Sequence, residues 1–586
     1  MSGAPSISPG DEPTGGARFP TVRAALAAAG ALGVGLLYAL MTPEAATALV
    51  RESGYFVLLG VFAAFGWLGV RVLRSVGRPP RHTVATCALS VLLGTVVLHL
   101  HTDLNYRVAM DDYLLAGTAE SLHVEREVEV LRQGRWINDV FFRFEAETDK
   151  RPWLYPFLVS LAHDCFGYAT AHPFWTNAVL GIVLMVLAFA QGSLFRNPWG
   201  GVLAVGLWAS LPLLSQNATG AGMDLSHLVL LQTVMLLGAL YLRAPSRERE
   251  GLLSLGAVLL AYSRYEALVF LPFVAAVVAL GWWRVRRVLL SWCSVAAAPL
   301  LFWALCLHTF LSADKSMWEL GAETESRFGL ANIADNAGHA LYFFFNLGDS
   351  LPNSVLIGAL GVPALLLFVL EVRKTVVRDP WQNPAWTATA VFGLGIVVHF
   401  LLVLSYHDGQ LDELISARFA LPMYLLLVVA ITAVAAKLSA GERHWRWLLG
   451  VTGVFILTVT IPMNAKGIFN KRNFVVREND WLARQAAARM PPHSLVIDRY
   501  TLPWLLRRRA ALSPAKAANS AGRLRDELAE RKFAAMYLVR RSEVLPAGGN
   551  GAPETDLDAF FERERLAERS FRPFHKVTLY RLELRE

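Results

Sequence analysis

The stretch Asp111-Asp112-Tyr113-Leu114-Leu115-Ala116-Gly117-Thr118-Ala119-Glu120-Ser121-Leu122 follows three apolar runs and precedes ten more. Leu115, Ala119 and Leu122 fall on one helical face, so the segment predicts an amphipathic helix with two carboxylates at its start. It belongs to a segment, 103–152, that holds eleven acids and seven bases in a chain otherwise sparing of charge. Which side of a membrane this segment occupies decides how the whole chain is threaded.

The chain has 586 residues, of which 17% are charged and 54% hydrophobic, with a mean hydropathy of +0.40. An average soluble protein carries roughly 25% charge, so a water-facing surface around so long a chain would be undersupplied. That argues against a cytosolic enzyme and for a membrane body. Over a third of the charge lies in the last fifth of the chain, with a basic excess. Cys87, Cys165, Cys293 and Cys306 all sit in apolar surroundings and none in that basic tail, which excludes a disulfide framework there.

A helix needs about 20 apolar residues to cross roughly 30 Å of hydrocarbon. Runs of that kind fall at 22–41, 54–73, 83–102, 172–192, 199–216, 225–243, 251–263, 267–283, 288–310, 354–371, 384–405, 419–436 and 447–463, which predicts thirteen transmembrane helices. Leu154 to Gly167 is apolar but short and contains His163 and Asp164, as expected of an interfacial or re-entrant piece. Short cytoplasmic loops collect Lys and Arg. With the N-terminus inside, the inner loops carry seventeen basic residues, from Arg71 to Arg446, and the short outer loops only Arg51, Arg264, Lys315, Arg327 and Arg418. Counting Leu154 to Gly167 as a span would invert the later loops and destroy this bias.

The organisation expected is therefore a disordered cytoplasmic tail at 1–20, rich in Gly, Pro and Ser; a transmembrane domain at 21–463 with its first large outer loop at 103–152; and an extracytoplasmic domain at 464–586. The long tail with Asp11 and Glu12 favours an uncleaved first helix over a signal peptide. Within the C-terminal domain, Asp480 to Met490 and Ala521 to Lys532 read as helices. Ser494 to Asp498, Ala535 to Val539 and Val577 to Leu582 read as strands, and Pro546 to Pro553 as a loop, which makes a small α/β domain. There is no solenoid repeat, no phosphate-cradling Gly-rich loop ending in Lys-Ser/Thr and no Cys/His metal-ligand spacing.

Several charged residues stand where apolar runs meet the outer face, and each has a plain structural reading. Asp111 and Asp112 suit the positive end of a helix dipole, but a carboxylate over a cavity also suits general-base chemistry. Asp149-Lys150-Arg151-Pro152-Trp153 fits interfacial anchoring, or a cation that meets a lipid phosphate. Arg264 and Glu266, in Ser263-Arg264-Tyr265-Glu266, are costly at the membrane boundary unless paired or functional. Arg418 is placed likewise, and Asp224 stands where it could cap the helix that follows. All of these share one side. Arg507-Arg508-Arg509 reads as a solvated helix end, or as a site for anionic lipid or glycan; its placement outside the membrane argues against nucleic acid.

The order and sidedness of Asp111-Asp112, Asp149-Lys150-Arg151-Pro152-Trp153-Leu154-Tyr155-Pro156, Asp224, Ser263-Arg264-Tyr265-Glu266 and Arg418-Phe419-Ala420-Leu421-Pro422 resemble the GT-C superfamily of membrane glycosyltransferases. The nearest likeness is to lipid A aminoarabinose transferases and protein O-mannosyltransferases, over most of residues 83–463. The resemblance implies a polytopic helical fold with the reaction at the outer face and a polyprenyl-phosphate-linked sugar as donor. It also implies an acidic pair at Asp111 and Asp112, an acid-Lys-Pro element at Asp149, Lys150 and Pro152, and a later loop aspartate at Asp224. The chain departs from the pattern by two extra N-terminal helices, by Asp112 where Glu is common, and by Arg151 between Lys and Pro.

The reading that follows is an inverting glycosyl transfer with Asp111 as base and Asp112 as the alternative, Lys150 and Arg264 on the leaving phosphate, and Asp149, Asp224, Glu266 and Arg418 in the substrate site. The acceptor class, whether lipid, glycan or protein, stays open. No cofactor is assigned, and a divalent cation at Asp111, Asp112 and Asp224 stays open. The alternatives are a transporter or lipid flippase and an assembly subunit with an inactive membrane part. In a bacterial inner membrane with the native cysteines replaced, Gly549→Cys should react with an impermeant maleimide from outside and Arg247→Cys should not; the reverse pattern overturns the threading.

Overall fold

The computed structural model describes residues 21–585 except 101–102, 138–139, 197, 312–325, 439–441, 467–473, 544–554 and 573–574. The tail 1–20, Asp139, Lys315 and the loop Pro546 to Pro553 therefore lie outside the described residues. Among the described residues, eleven helices are long and apolar enough to cross a membrane: Thr21–Leu40, Pro43–Val76, Arg81–His99, His172–Arg196, Asp224–Arg243, Tyr265–Val285, Trp292–Leu311, Val355–Thr375, Pro384–Ser405, Ser416–Leu438 and Arg443–Asn464. The chain is an integral membrane protein of polytopic helical architecture.

The other two expected spans are shorter. Run 199–216 divides into Trp199–Ala209 and Pro212–Ala218, because Pro212 starts a new helix after the turn at Ser210 and Leu211. Run 251–263 belongs to Arg247–Ala261, capped by the Ser246 hydroxyl, which accepts from the Arg249 N–H. Both still return the chain to the end from which it left. Asp224, at the start of one helix, meets Arg264, which lies beyond Arg247–Ala261. Leu154–Phe166 is a separate 13-residue helix.

The loop 103–152 is a folded unit, with a helix Ala109–Val124 and a hairpin of β1 (Val130–Ile137) and β2 (Val140–Glu147). The hairpin joins β3 (Leu495–Ile497), β4 (Ala510–Leu512), β5 (Met536–Glu543), β6 (Phe561–Arg572) and β7 (His575–Leu584) in one seven-stranded sheet ordered β2-β1-β4-β3-β5-β7-β6. β3 pairs in parallel with β4 and β5, and the other neighbours are antiparallel. Side chains alternate across the sheet. Val496, Tyr537 and Val577 pack under Trp481 and Leu482 of the helix Phe474–Arg489, while Leu495, Ile497 and Leu538 pack under Ala521 and Leu524 of the helix Ala521–Ala529. The loop and the C-terminal region therefore lie on one side of the membrane body.

Two sequence expectations change as a result. The helix Ala109–Val124, expected to be amphipathic, is buried all round from Asp112 to Leu122. Its apolar side meets Tyr155, Val159 and Met223, while the C-terminal region covers its polar side. Arg508 is not a solvated helix end. Its guanidinium pairs with buried Glu120 (2.8 Å) and lies over the Tyr168 ring, and its carbonyl accepts from Trp136 Nε1 (2.7 Å). Arg143 of β2 also pairs with Glu120. Losing one partner of a buried ion pair costs about 3–5 kcal/mol. Arg508→Met should lower the unfolding midpoint of the detergent-solubilised protein more than Arg507→Met, whose guanidinium donates to the Pro503 carbonyl of its own segment (2.8 Å).

Candidate functional site

Consecutive helical residues point about 100° apart, so Asp111 and Asp112 face different neighbours. Asp111 Oδ1 accepts from Arg151 Nη2 (2.7 Å) and Nε (3.0 Å), and Oδ2 from Arg418 Nη2 (2.7 Å). Burial alone would raise its pKa, but the two guanidiniums outweigh this and hold the carboxyl below the usual carboxylate range. Asp112 turns back toward the chain before its helix, where the N–H groups of Arg107 (2.7 Å) and Val108 (3.3 Å) donate to Oδ2. It is 1% exposed. Burial pushes its pKa up to about 6, aided by the Asp111 charge and opposed by the Arg107 N–H and Arg418.

From Asp111 the contacts run on in alternating sign. Arg151 Nη1 binds Asp149 Oδ1 (3.0 Å), and Arg418 Nη1 approaches Asp224 Oδ2 (3.6 Å). Asp224 pairs with Arg264, whose Nε binds Glu266 Oε1 (2.6 Å), and His399 Nε2 lies 3.7 Å from that oxygen. Six segments distant in sequence thus meet in one ionic chain. Lys150 is buried beside it, and its carbonyl accepts from the Tyr265 hydroxyl (2.9 Å).

Two cavities flank this chain. One, of about 440 Å³, is walled by Lys150, Arg151, Arg264, Arg327 and Arg418 against two carboxylates, Asp111 and Glu266, with Val269, Leu402, Phe328 and Phe419 as apolar walls. The other, of about 310 Å³, lies between the membrane body and the C-terminal region, with Asp112, Asp224, Arg107 and Gln216 inside and Arg477, Arg484 and Arg569 from the C-terminal side. Arg418 lines both. Gly222 separates Asp112 from Asp224 in the second cavity: a methyl group there would lie 3.2 Å from Asp112 Oδ1 and from Asp224 Oδ2. Buried Asn177 holds this glycine turn, its Nδ2 donating to the carbonyls of Gly220 (3.0 Å) and Gly222 (2.9 Å). Among the described residues no group of three or more His, Cys, Asp or Glu is arranged to hold a metal ion.

The structure therefore brings Asp111, Asp149, Asp224, Arg264, Glu266 and Arg418 into one network, with Lys150 against the first cavity and Asp112 against the second. Sequence reasoning missed the part of Arg151, treated as an interruption of a motif although it binds two of the expected acids. It also missed His399 and Asn177. Polar groups inside the apolar runs 384–405 and 172–192 were the signal available for both.

No protein-family model matches the chain, and no curated protein matches it. Solved structures similar to it include ArnT from Cupriavidus metallidurans bound to undecaprenyl phosphate, at 13% identity over 84% of this chain and 97% of that one, with a TM-score of 0.47. The apo state of the same protein gives the same identity and coverage and a TM-score of 0.43. The arabinosyltransferase EmbB from Mycobacterium smegmatis is 14% identical over 71% of this chain and 44% of that one, with a TM-score of 0.33.

Arg151→Met leaves Asp111 and Asp149 without their shared cation and should destabilise by about 3–5 kcal/mol, seen as a lower unfolding midpoint. Adding Asp111→Asn should restore part of that loss, and an additive double variant would show that the two side chains are not coupled.

Proposed function

We propose that this protein transfers a sugar from a polyprenyl-phosphate-linked donor to an acceptor hydroxyl at the extracytoplasmic face of a bacterial inner membrane, with inversion. Residues 21–463 form the transmembrane transferase domain and 464–586 an extracytoplasmic domain, with the N-terminus in the cytoplasm. The observation that carries the reading is that a cationic cavity with apolar walls and a polar cavity holding carboxylates share one wall at Arg418. Such a pair suits a lipid phosphate on one side and a hydroxyl compound on the other. The sugar and the polyprenyl chain come from the family resemblance.

Asp112, rather than Asp111, is the base in this reading. A carboxylate gripped by two guanidiniums is a weak proton acceptor, whereas one whose pKa stands near 6 is poised for the task. Asp112 takes the proton of the acceptor hydroxyl as its oxygen bonds to the anomeric carbon. The bond from that carbon to the phosphate oxygen breaks, and the electron pair leaves on polyprenyl phosphate. Lys150, Arg264 and Arg418 offset the charge that develops there. Asp111 and Asp149 position Arg151 and Arg418. A flippase would instead favour ionisable groups spread along a pathway, whereas the network described here gathers at one end of the helices.

A base must be deprotonated to act, so kcat/KM should fall as pH drops through about 6 and level off above it. The assay is release of polyprenyl phosphate from a panel of polyprenyl-phosphate sugars by the full chain in proteoliposomes. Asp112→Asn should remove activity with an unchanged unfolding midpoint. Wild-type rates in Asp112→Asn, or lipid movement without sugar transfer, would overturn the reading.

A further inference from the structure

We infer that the cavity between the membrane body and the C-terminal region receives an acceptor bearing a phosphate or carboxylate, bound at the cavity's rim by Arg477, Arg484 and Arg569. The inference rests on the transfer reaction above and names the acceptor class for it. Arg477 and Arg484 lie seven residues apart on the helix Phe474–Arg489, two turns on one face, and Arg569 comes from β6. All three are exposed and line the one cavity that also holds Asp112.

Their pairing sets them apart from the charges deeper in. Asp111, Asp149, Asp224, Arg151, Arg264 and Arg418 all sit in ion pairs, whereas among the described residues none of the three rim arginines has an acidic partner. Arg569 lies over the ring of Phe571, which lines the same cavity and packs on Trp481. Asp480, on the same helix and lining the same cavity, accepts from Asn105 Nδ2 (2.8 Å), and Glu478 pairs with Arg541 and His575. The cavity thus has three guanidiniums at its mouth, with Asp480 on the same wall, while deeper in Asp112 and Asp224 face each other across Gly222 beside Arg107 and Arg418.

That polarity orients a ligand. A guanidinium fork fits phosphate or carboxylate in two parallel hydrogen bonds; deeper in, Arg418 is already held by Asp111 and Arg107 by the Gln216 carbonyl and the Thr219 hydroxyl, so an anion is better matched at the rim and Asp112 is left to accept a hydroxyl proton. A sugar with one anionic substituent enters with the anion outward and a hydroxyl inward, toward the base. A neutral sugar gains nothing at the rim.

The test measures binding without donor, so that it stands apart from transfer. Equilibrium dialysis of the full chain in nanodiscs against labelled glucose 6-phosphate, glucuronate and glucose should show the anionic sugars bound about tenfold more tightly, a preference that falls as salt rises. A second arm with phosphatidylinositol or phosphatidylcholine nanodiscs separates a lipid-borne anion from a soluble one. Arg477→Gln/Arg484→Gln/Arg569→Gln should erase the preference while keeping the unfolding midpoint and the binding of undecaprenyl phosphate. The single variants, each expected to weaken it in part, give the same reading if the triple variant does not fold. Equal binding of anionic and neutral ligands, or a preference that survives the substitutions, overturns the inference. An anion preference in a protein that transfers no sugar would sustain the cavity's selectivity and overturn the transfer reaction alone.

Discussion

Four carboxylates and three guanidiniums, alternating from Asp149 through Arg151, Asp111, Arg418, Asp224 and Arg264 to Glu266, hold the ends of the membrane helices to the loop between the third and fourth spans. A charge removed from water is tolerated only when it is matched, so none of these residues can shift without exposing another to an apolar surrounding. The need for matching fixes the helix Ala109–Val124 relative to Asp224–Arg243 and Ser416–Leu438. It also explains why adjacent aspartates have opposite properties, since Asp111 is inside the chain of pairs and Asp112 is beside it.

The second constraint is the sheet. Because β1 pairs with β4, the loop that carries the aspartates is part of the C-terminal fold. Glu120 between Arg143 and Arg508, and Trp136 on the Arg508 carbonyl, extend that bond to the helix itself. The site therefore has two supports, an ionic one toward the membrane and a hydrogen-bonded one toward the C-terminal region.

Much of the membrane architecture was legible in the sequence because crossing helices obey a length rule and their ends a charge rule. Ten runs became helices at nearly the expected bounds and the run 54–73 a longer one, Pro43–Val76, and the boundary charges Arg264 and Arg418 stood out because apolar runs make any cation conspicuous. The extramembrane part was less legible. β4 is only Ala-Ala-Leu, too short to show a period, and β6 carries charges on both faces as an edge strand does. The hairpin at 130–147 lies some 360 residues before its partner strand, a pairing that no local pattern encodes. Arg151 was missed for a related reason: its two partners make it central, and partners are a property of the fold.

The distance between β1 and β4 has a consequence for how the molecule is made. The loop leaves the ribosome hundreds of residues before the strands that complete its sheet, and among the described residues eight further helices long enough to cross a membrane lie in between. Until the last of them is in place the hairpin presents an unpaired edge, and the helix beneath it lacks its cover. Completion of the pocket around the aspartates is thus a late event of biosynthesis, and a chain stalled or cut short within the bundle carries them uncovered.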